Sequence, residues 1–251
     1  MSGLLADAAP TQAHQAAISQ RRAAIIAGIA YAVLTVLALF AMSVLNGVTE
    51  PDDPAATVDN VATSKTLFGT SLVAFTLVLI ADGVVAWALY VLFQRTSREL
   101  SLFAAFFRIA YVAIAAAALM NLLDVLKLVG GAGYSTTLDA GGRDAQVMLS
   151  LDAYNEGFFL ALVFFGVHLL LLGYVMIKSD YAPSVLGMLV VLAGIAYVVI
   201  DLMRVAQPDY RDHEDLLLVL LAVLAVPGEI GLIGWLLWKG GKAQPATVAN
   251  P

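Results

Sequence analysis

The sequence predicts an all-α integral membrane protein, a bundle of six transmembrane helices with both termini in the cytoplasm. Hydrophobic residues make up 61% of the 251 residues and charged residues only 13%, about half the usual charged share of a soluble domain. The mean hydropathy is +0.88. Several apolar runs reach the roughly 20 residues that a helix needs to cross a hydrocarbon core. The six spans cover roughly residues 23–45, 67–93, 102–129, 151–177, 184–205 and 215–238.

The segments between the spans are polar. Residues 46–65 contain two prolines and four acids, and residues 130 to about 150 are rich in Gly, Asp, Ser and Thr. Both segments are therefore predicted to be solvated loops. Short polar turns are expected at residues 94–99 and 178–183, and a short charged loop at residues 206–214.

The chain divides into a polar N-terminal tail (residues 1–20), the six-helix transmembrane domain (21–240) and a C-terminal tail (241–251). Six spans put both termini on one side, and the side richer in Lys and Arg is expected to be cytoplasmic. The side of the termini carries Arg21, Arg22, Arg95, Arg98, Lys178, Lys239 and Lys242, and the other side carries Lys65, Lys127, Arg143, Arg204 and Arg211. The bias favours cytoplasmic termini.

Charge and motif content exclude several function classes. The net charge is −6, which argues against a nucleic-acid partner, because nucleic acid needs clustered Lys and Arg. The chain has no cysteine, and its three histidines, His14, His168 and His213, lie in separate segments, so no metal site is predicted. No P-loop, nucleophile elbow or dinucleotide fingerprint is present, and no cofactor is expected. The expected partner is the lipid bilayer, with a small molecule or an ion as a possible substrate.

Four ionisable residues, here called the inner set, lie inside spans 2, 3, 4 and 6: Asp82, Arg108, His168 and Glu229. At 1.5 Å per residue they lie roughly 9 to 17 Å from the side of the termini. A charge facing lipid at that depth costs several kcal/mol, so these groups should face inward and pair, Arg108 with Asp82 or with Glu229. They either fix the order of the helices or carry protons, and Glu229 after Pro227 is the stronger candidate for a proton or cation site.

A second set, the outer set, lies toward the opposite side: Asn121, Asp124, Lys127, Asp152, Glu156, Asp201 and Arg204. The pairs Asp124–Lys127 and Asp201–Arg204 have the three-residue spacing of helical ion pairs. Two interpretations remain open. These are wetted pairs at helix ends, which is favoured, or they line a vestibule that opens outward.

A pentapeptide, AGIAY, occurs at residues 27–31 in span 1 and again at 193–197 in span 5. Parallel repeats are one architecture of membrane carriers. Five small or apolar residues recur easily in so biased a composition, and an offset of four spans does not divide six. We therefore interpret the recurrence as chance.

Several segments between residues 20 and 240 resemble the bacterial multipass membrane proteins of domain-of-unknown-function family 4386. The most specific part joins spans 4 and 5. The matching segments are 22–31 (RAAIIAGIAY), 88–92 (ALYVL), 106–111 (FFRIAY), 157–159 (GFF), 164–174 (FFGVHLLLLGY), 181–187 (YAPSVLG), 228–229 (GE) and 235–240 (WLLWKG). The family typically has a basic residue after the proline, where this chain has Ser184. The resemblance implies a bacterial inner (cell) membrane location and no established activity, and it aligns Arg108, His168 and Glu229 with the family pattern.

Three functions are compatible with the sequence. The favoured hypothesis is a non-catalytic membrane component. The second is a small proton- or ion-coupled transporter that uses the inner set. The third is an intramembrane enzyme in which His168 and an acid transfer protons.

Overall fold

A computed structural model describes residues 8–131, 133, 137–206 and 214–240, with the backbone alone at 8–19 and 214–215. The described residues form no strand and seven helices: α1 (Ala8–Val48), α2 (Pro54–Thr63), α3 (Lys65–Phe93), α4 (Arg98–Val129), α5 (Ala140–Lys178), α6 (Ser184–Ala206) and α7 (Glu214–Trp238). All but α2 are long and apolar enough to cross a membrane, the spans in α1 and α7 beginning at Gln20 and Leu216. The predicted all-α bundle of six spans is confirmed.

The six spanning helices form a closed ring in chain order. Each packs on the next along the chain, and α7 packs back on α1. Since successive spans run in opposite directions, the bundle has two ends. The termini end holds the start of the first span, the end of α7 and the α3–α4 and α5–α6 turns. The far end holds the α1–α3, α4–α5 and α6–α7 connections.

The segment predicted as a loop after span 1 contains a helix, so that prediction is wrong. Asp53 caps α2, its side chain accepting a hydrogen bond of 2.9 Å from the Ala56 amide, and Pro54 occupies the first helical position. An acidic cap and a proline at that position are helix-start signals. Val58 and Val61 are buried against the far end of the bundle, which fixes the short helix in place.

The helix of span 4 is longer than predicted. It begins at Ala140 rather than near Leu151, because Asp139 caps it by accepting a hydrogen bond of 2.7 Å from Gly142 N. Its first turns bury Val147 and contact α2. Similarly, α1 begins at Ala8, inside the segment predicted as a tail. The rest of that tail (residues 1–7), most of the predicted α6–α7 loop (207–213) and the C-terminal tail (241–251) lie outside the described residues.

Glycines let α5 and α6 approach until their backbones touch. A Cβ added at Gly166 would lie 2.9 Å from the carbonyl oxygen of Gly194, and one at Gly173 would lie 2.7 Å from that of Gly187. The two contacts are seven residues apart on each helix, so they lie on one face of each helix. Small residues at such a seam allow the close packing that joins helices in lipid. The α5–α6 hairpin is therefore a rigid wall of the ring.

The turn between α5 and α6 is anchored to the end of α3. The ring of Tyr181 stacks on Phe93 with 5.6 Å between centroids, and its hydroxyl donates a hydrogen bond of 2.7 Å to the Leu92 carbonyl. Burial raises the pKa of the Tyr181 hydroxyl to about 12. This contact ties three helices together at the termini end.

Candidate functional site

The ring of helices surrounds a layer of polar side chains to which every spanning helix contributes. Arg108 on α4 is at the centre of the layer, with an exposed fraction of 0%. Nη2 of Arg108 forms an ion pair with Oδ1 of Asp82 on α3. Nη1 donates to the Tyr31 hydroxyl on α1 at 2.5 Å and lies 3.0 Å from Nε2 of His168 on α5. These four residues, with Tyr111, are called the Arg108 network below.

The aromatic rings around Arg108 enclose its guanidinium group. Its central carbon lies 4.6 Å from the centroid of the Tyr31 ring and 5.2 Å from that of Phe165. Cation–π contacts of this kind are stronger away from water. The described residues offer no hydrogen-bond acceptor to Nε of Arg108.

The hydrogen bonds fix the tautomer of His168. Arginine has only donors, so Nε2 of His168 accepts from Arg108. Nδ1 then carries the proton, which it donates to the Ala104 carbonyl at 2.8 Å. Ala104 lies one helical turn before Arg108 on α4, so the neutral imidazole is held by two points of one helix. Neither ring nitrogen is free to exchange a proton with a substrate.

The acid of the network is held on both sides. Asp82 is buried and paired with Arg108, and the Tyr111 hydroxyl lies against its carboxylate. Tyr111 follows Arg108 by three residues on α4, a spacing that puts both on one face of the helix. Of the two pairings that the sequence left open for Arg108, the structure shows the one with Asp82.

Glu229 on α7 lies beside the network but is bonded separately. Its Oε1 accepts a hydrogen bond of 2.9 Å from the Tyr197 hydroxyl on α6. The side chain is half-buried. Among the described residues, no Lys, Arg or His nitrogen forms an ion pair with it. The proline within α7, Pro227, lies two residues before it.

A small cleft opens beside His168 on the side toward the termini end. Its volume is about 10 Å³, and its wall includes Ser101, Ala104 and Leu172. The Ser101 hydroxyl is buried and has no hydrogen-bond partner among the described residues. A volume of about 10–15 Å³ is the minimum that holds one water molecule. The cleft therefore fits a water and no substrate.

The outer set contains two ion pairs, which differ in their exposure. Asp124 and Lys127 pair at 2.7 Å with about half of each side chain exposed, as expected of a wetted pair, and Asn121 donates to a carbonyl of its own helix. The same expectation is wrong for Asp201 and Arg204. These residues pair at 3.0 Å with side chains only 0% and 1% exposed, because the face of α6 that carries them packs against its neighbours.

The two remaining acids of the outer set lie on α5. Asp152 is half-buried and Glu156 is exposed. Arg204 does not bridge them, since its ion-pair partner is Asp201. The described residues contain no group of three or more His, Cys, Asp or Glu that could hold a metal ion.

The sequence did not single out the three tyrosines of the layer. Tyr31 and Tyr197 are the last residues of the two AGIAY pentapeptides, on helices that run in the same direction. Each tyrosine hydrogen-bonds an ionisable group of the inner set, Arg108 or Glu229. The recurrence of the pentapeptide was thus a signal that could have identified two of them.

A family model described as domain of unknown function (DUF4386) matches residues 26–240. An uncharacterized protein of Archaeoglobus fulgidus is 33% identical over 134 residues, which cover 53% of this chain and 67% of that protein. Because this relative is archaeal, the expectation of a purely bacterial family was too narrow. No solved structure matches the chain significantly. Since the family model covers nearly all of the helical bundle, the chain belongs to the DUF4386 family of multipass membrane proteins.

Proposed function

We propose that the protein is a non-catalytic multipass component of the cell membrane, in which the Arg108 network fixes the arrangement of four helices. The observation that supports this function is the complete enclosure of Arg108. Its terminal nitrogens are used by Asp82, Tyr31 and His168, from three other helices. A buried ion pair that is bonded to several helices can specify their packing, and the adjacent cleft is too small for a substrate.

The proposal predicts that the protein by itself moves no protons. Purified full-length protein in liposomes that contain a pH-sensitive dye should collapse an imposed pH gradient no faster than empty liposomes. Flux that depends on the native protein would overturn the proposal in favour of the second candidate.

The second candidate is a proton- or ion-coupled transporter that uses Glu229. The observation that favours it is the difference between the two acids of the layer. Asp82 has an ion-pair partner, whereas the half-buried Glu229 has a hydroxyl, Tyr197. An acid inside a membrane without a counter-ion is a proton-relay candidate. In the liposome assay, this function requires that Glu229→Gln abolish flux while the exposed control Glu156→Gln preserves it.

An intramembrane enzyme is the function that the geometry supports least. It requires His168 to exchange a proton with a substrate, and both ring nitrogens are engaged by Arg108 and Ala104. We further propose that both termini face the cytoplasm. The excess of Lys and Arg beside the termini end supports that orientation.

A further inference from the structure

The far end of α6 holds a buried ion pair whose hydrogen-bonding groups are only partly used. Nη1 of Arg204 donates to Oδ1 of Asp201 at 3.0 Å, and both residues are at least nine-tenths buried. Three further polar atoms, Nε and Nη2 of Arg204 and Oδ2 of Asp201, are buried with no hydrogen-bond partner in the described part of the chain. Each such group costs stability when it is left unpaired. Three in one place indicate a missing partner.

The unpaired nitrogens of Arg204 lie on one edge of the guanidinium group. Nε–H and one Nη2–H point in parallel, and this edge binds two oxygens of a carboxylate or phosphate at once. The Phe159 ring on α5 covers a face of the guanidinium, with 4.2 Å from its centroid to the central carbon of Arg204. A ligand must therefore approach in the plane of the group, which is the direction that two-point binding requires.

The unpaired oxygen of Asp201 adds a second requirement. Arg204 and Asp201 together carry no net charge, so a simple anion would leave the pair with an excess negative charge. A ligand that also brings a cation with an N–H donor would balance the charge and satisfy Oδ2 of Asp201. A primary ammonium meets both conditions, whereas a quaternary ammonium has no N–H to donate.

The position of the pair within the span points to a lipid. Arg204 lies two residues before the end of α6, about 3 Å along the helix axis, where a span reaches the headgroup region. Both side chains are covered, so access for a headgroup requires a movement of Arg204 or of the groups that cover it.

We propose that Arg204 and Asp201 form a binding site for a zwitterionic phosphoethanolamine headgroup. The phosphate binds the Nε–Nη2 edge of Arg204, and the ammonium donates to Oδ2 of Asp201. The expected source is phosphatidylethanolamine from the leaflet at the far end. Soluble glycerophosphoethanolamine has the same chemistry and would occupy the same groups.

The full-length protein in detergent can test the site by native mass spectrometry during lipid titration. The probes are phosphatidylethanolamine, its mono- and dimethyl derivatives and phosphatidylcholine, all with the same acyl chains. Affinity should fall about tenfold at the last methylation, which removes the final N–H, because one charge-assisted hydrogen bond is lost. Equal affinity along the series would overturn the proposal without any variant being needed.

Two variants test the residues themselves. Arg204→Lys keeps the charge and removes the two-point edge, and Asp201→Asn removes the acceptor charge. Asp201→Asn should reduce the preference for phosphatidylethanolamine over phosphatidylcholine to about twofold or less. Arg204→Lys should instead weaken the binding of both lipids about tenfold, because both carry the phosphate that the edge binds. The control is Lys127→Gln, since Lys127 belongs to an exposed pair of the same three-residue spacing at the same end of the bundle, and it should keep the full preference.

A folded Asp201→Asn protein that keeps the full preference, or a folded Arg204→Lys protein that keeps the native affinity for both lipids, would overturn the assignment. Competition separates the two sources of the headgroup. Displacement of the lipid by millimolar glycerophosphoethanolamine would support the site and identify a soluble ligand. If glycerophosphoethanolamine does not displace the lipid, the acyl chains contribute to binding and the ligand is the membrane lipid.

Discussion

Replacing the buried ion pair of Asp82 and Arg108 by two apolar side chains should cost far less stability than removing one partner. In Asp82→Leu, Arg108 stays inside the ring with an exposed fraction of 0% and no counter-ion, which costs about 3–5 kcal/mol. Arg108→Met leaves Asp82 uncompensated at a similar cost. If the effects were additive, the double variant would lose about 6–10 kcal/mol.

The structure predicts a much smaller loss for the double variant. Asp82→Leu/Arg108→Met removes both charges together. The main remaining defects are Nε2 of His168, which loses its donor, and the Tyr111 hydroxyl, which loses its acceptor. An unsatisfied buried group costs about 1–3 kcal/mol, and each single variant already carries one of these two defects. The two substitutions should therefore couple by several kcal/mol, and the double variant should be more stable than either single variant.

Unfolding of the purified proteins by SDS in mixed micelles gives the four free energies of this cycle. The exposed pair of Asp124 and Lys127 supplies the control cycle, in which the coupling should stay below about 1 kcal/mol. Additive losses at Asp82 and Arg108 would refute the reasoning. Single variants as stable as the native protein would refute it as well, because the network would then not hold the helices.

Three further predictions concern stability. Gly173→Ala should lower the free energy of unfolding by about 1–3 kcal/mol, because its Cβ would lie 2.7 Å from a carbonyl oxygen of α6. The control Gly83→Ala, with no atom near its Cβ, should raise the free energy of unfolding by up to about 1 kcal/mol. Arg21→Gln should lower the Tm because Arg21 donates to three carbonyls at the end of α7, whereas the exposed Arg22→Gln should leave the Tm unchanged. Tyr181→Phe should lower the free energy of unfolding by about 1 kcal/mol below pH 10. The pKa of the Tyr181 hydroxyl is raised to about 12, so the native protein loses about 1.4 kcal/mol of stability per pH unit above pH 10. The difference should therefore disappear within about one pH unit above 10 and reverse in sign at higher pH.

The sequence predicted the spans well because length and hydropathy decide whether a helix crosses a bilayer. It failed where polar composition hides a helix. The segment around Asp53 and Pro54 has the residues of a loop, and they are also the residues that begin a helix. Only the burial of Val58 and Val61 against the bundle decides between the two. That burial depends on contacts with α5 and α4, which are distant in the chain and which no local pattern contains.

For the site, the sequence indicates how deep each residue lies along its helix but not which way the residue faces around the helix axis. Their similar depth predicted that Asp82, Arg108 and His168 lie in one layer. The free-energy cost of exposing these groups to lipid predicted that they face the interior of the bundle. Arg204 lies near a helix end, where exposure and burial are both allowed, so its burial beside Phe159 could not be predicted. The three tyrosines were missed because they carry no charge. An unpaired hydroxyl in lipid costs less free energy than an unpaired ion, so the sequence did not require a partner for them.

The polar layer is held unequally around the ring, and α7 is its weakest member. Asp82, Tyr31 and His168 bind Arg108 directly, whereas α7 joins the layer through one hydrogen bond from Tyr197 to Glu229. The span in α7 is also the least buried of the six, and a proline within a helix removes a backbone hydrogen bond. Arg21 holds only the last turn of α7 to α1. A rearrangement of the bundle should therefore begin with α7, which would move Glu229 away from Tyr197 and leave the Arg108 network intact.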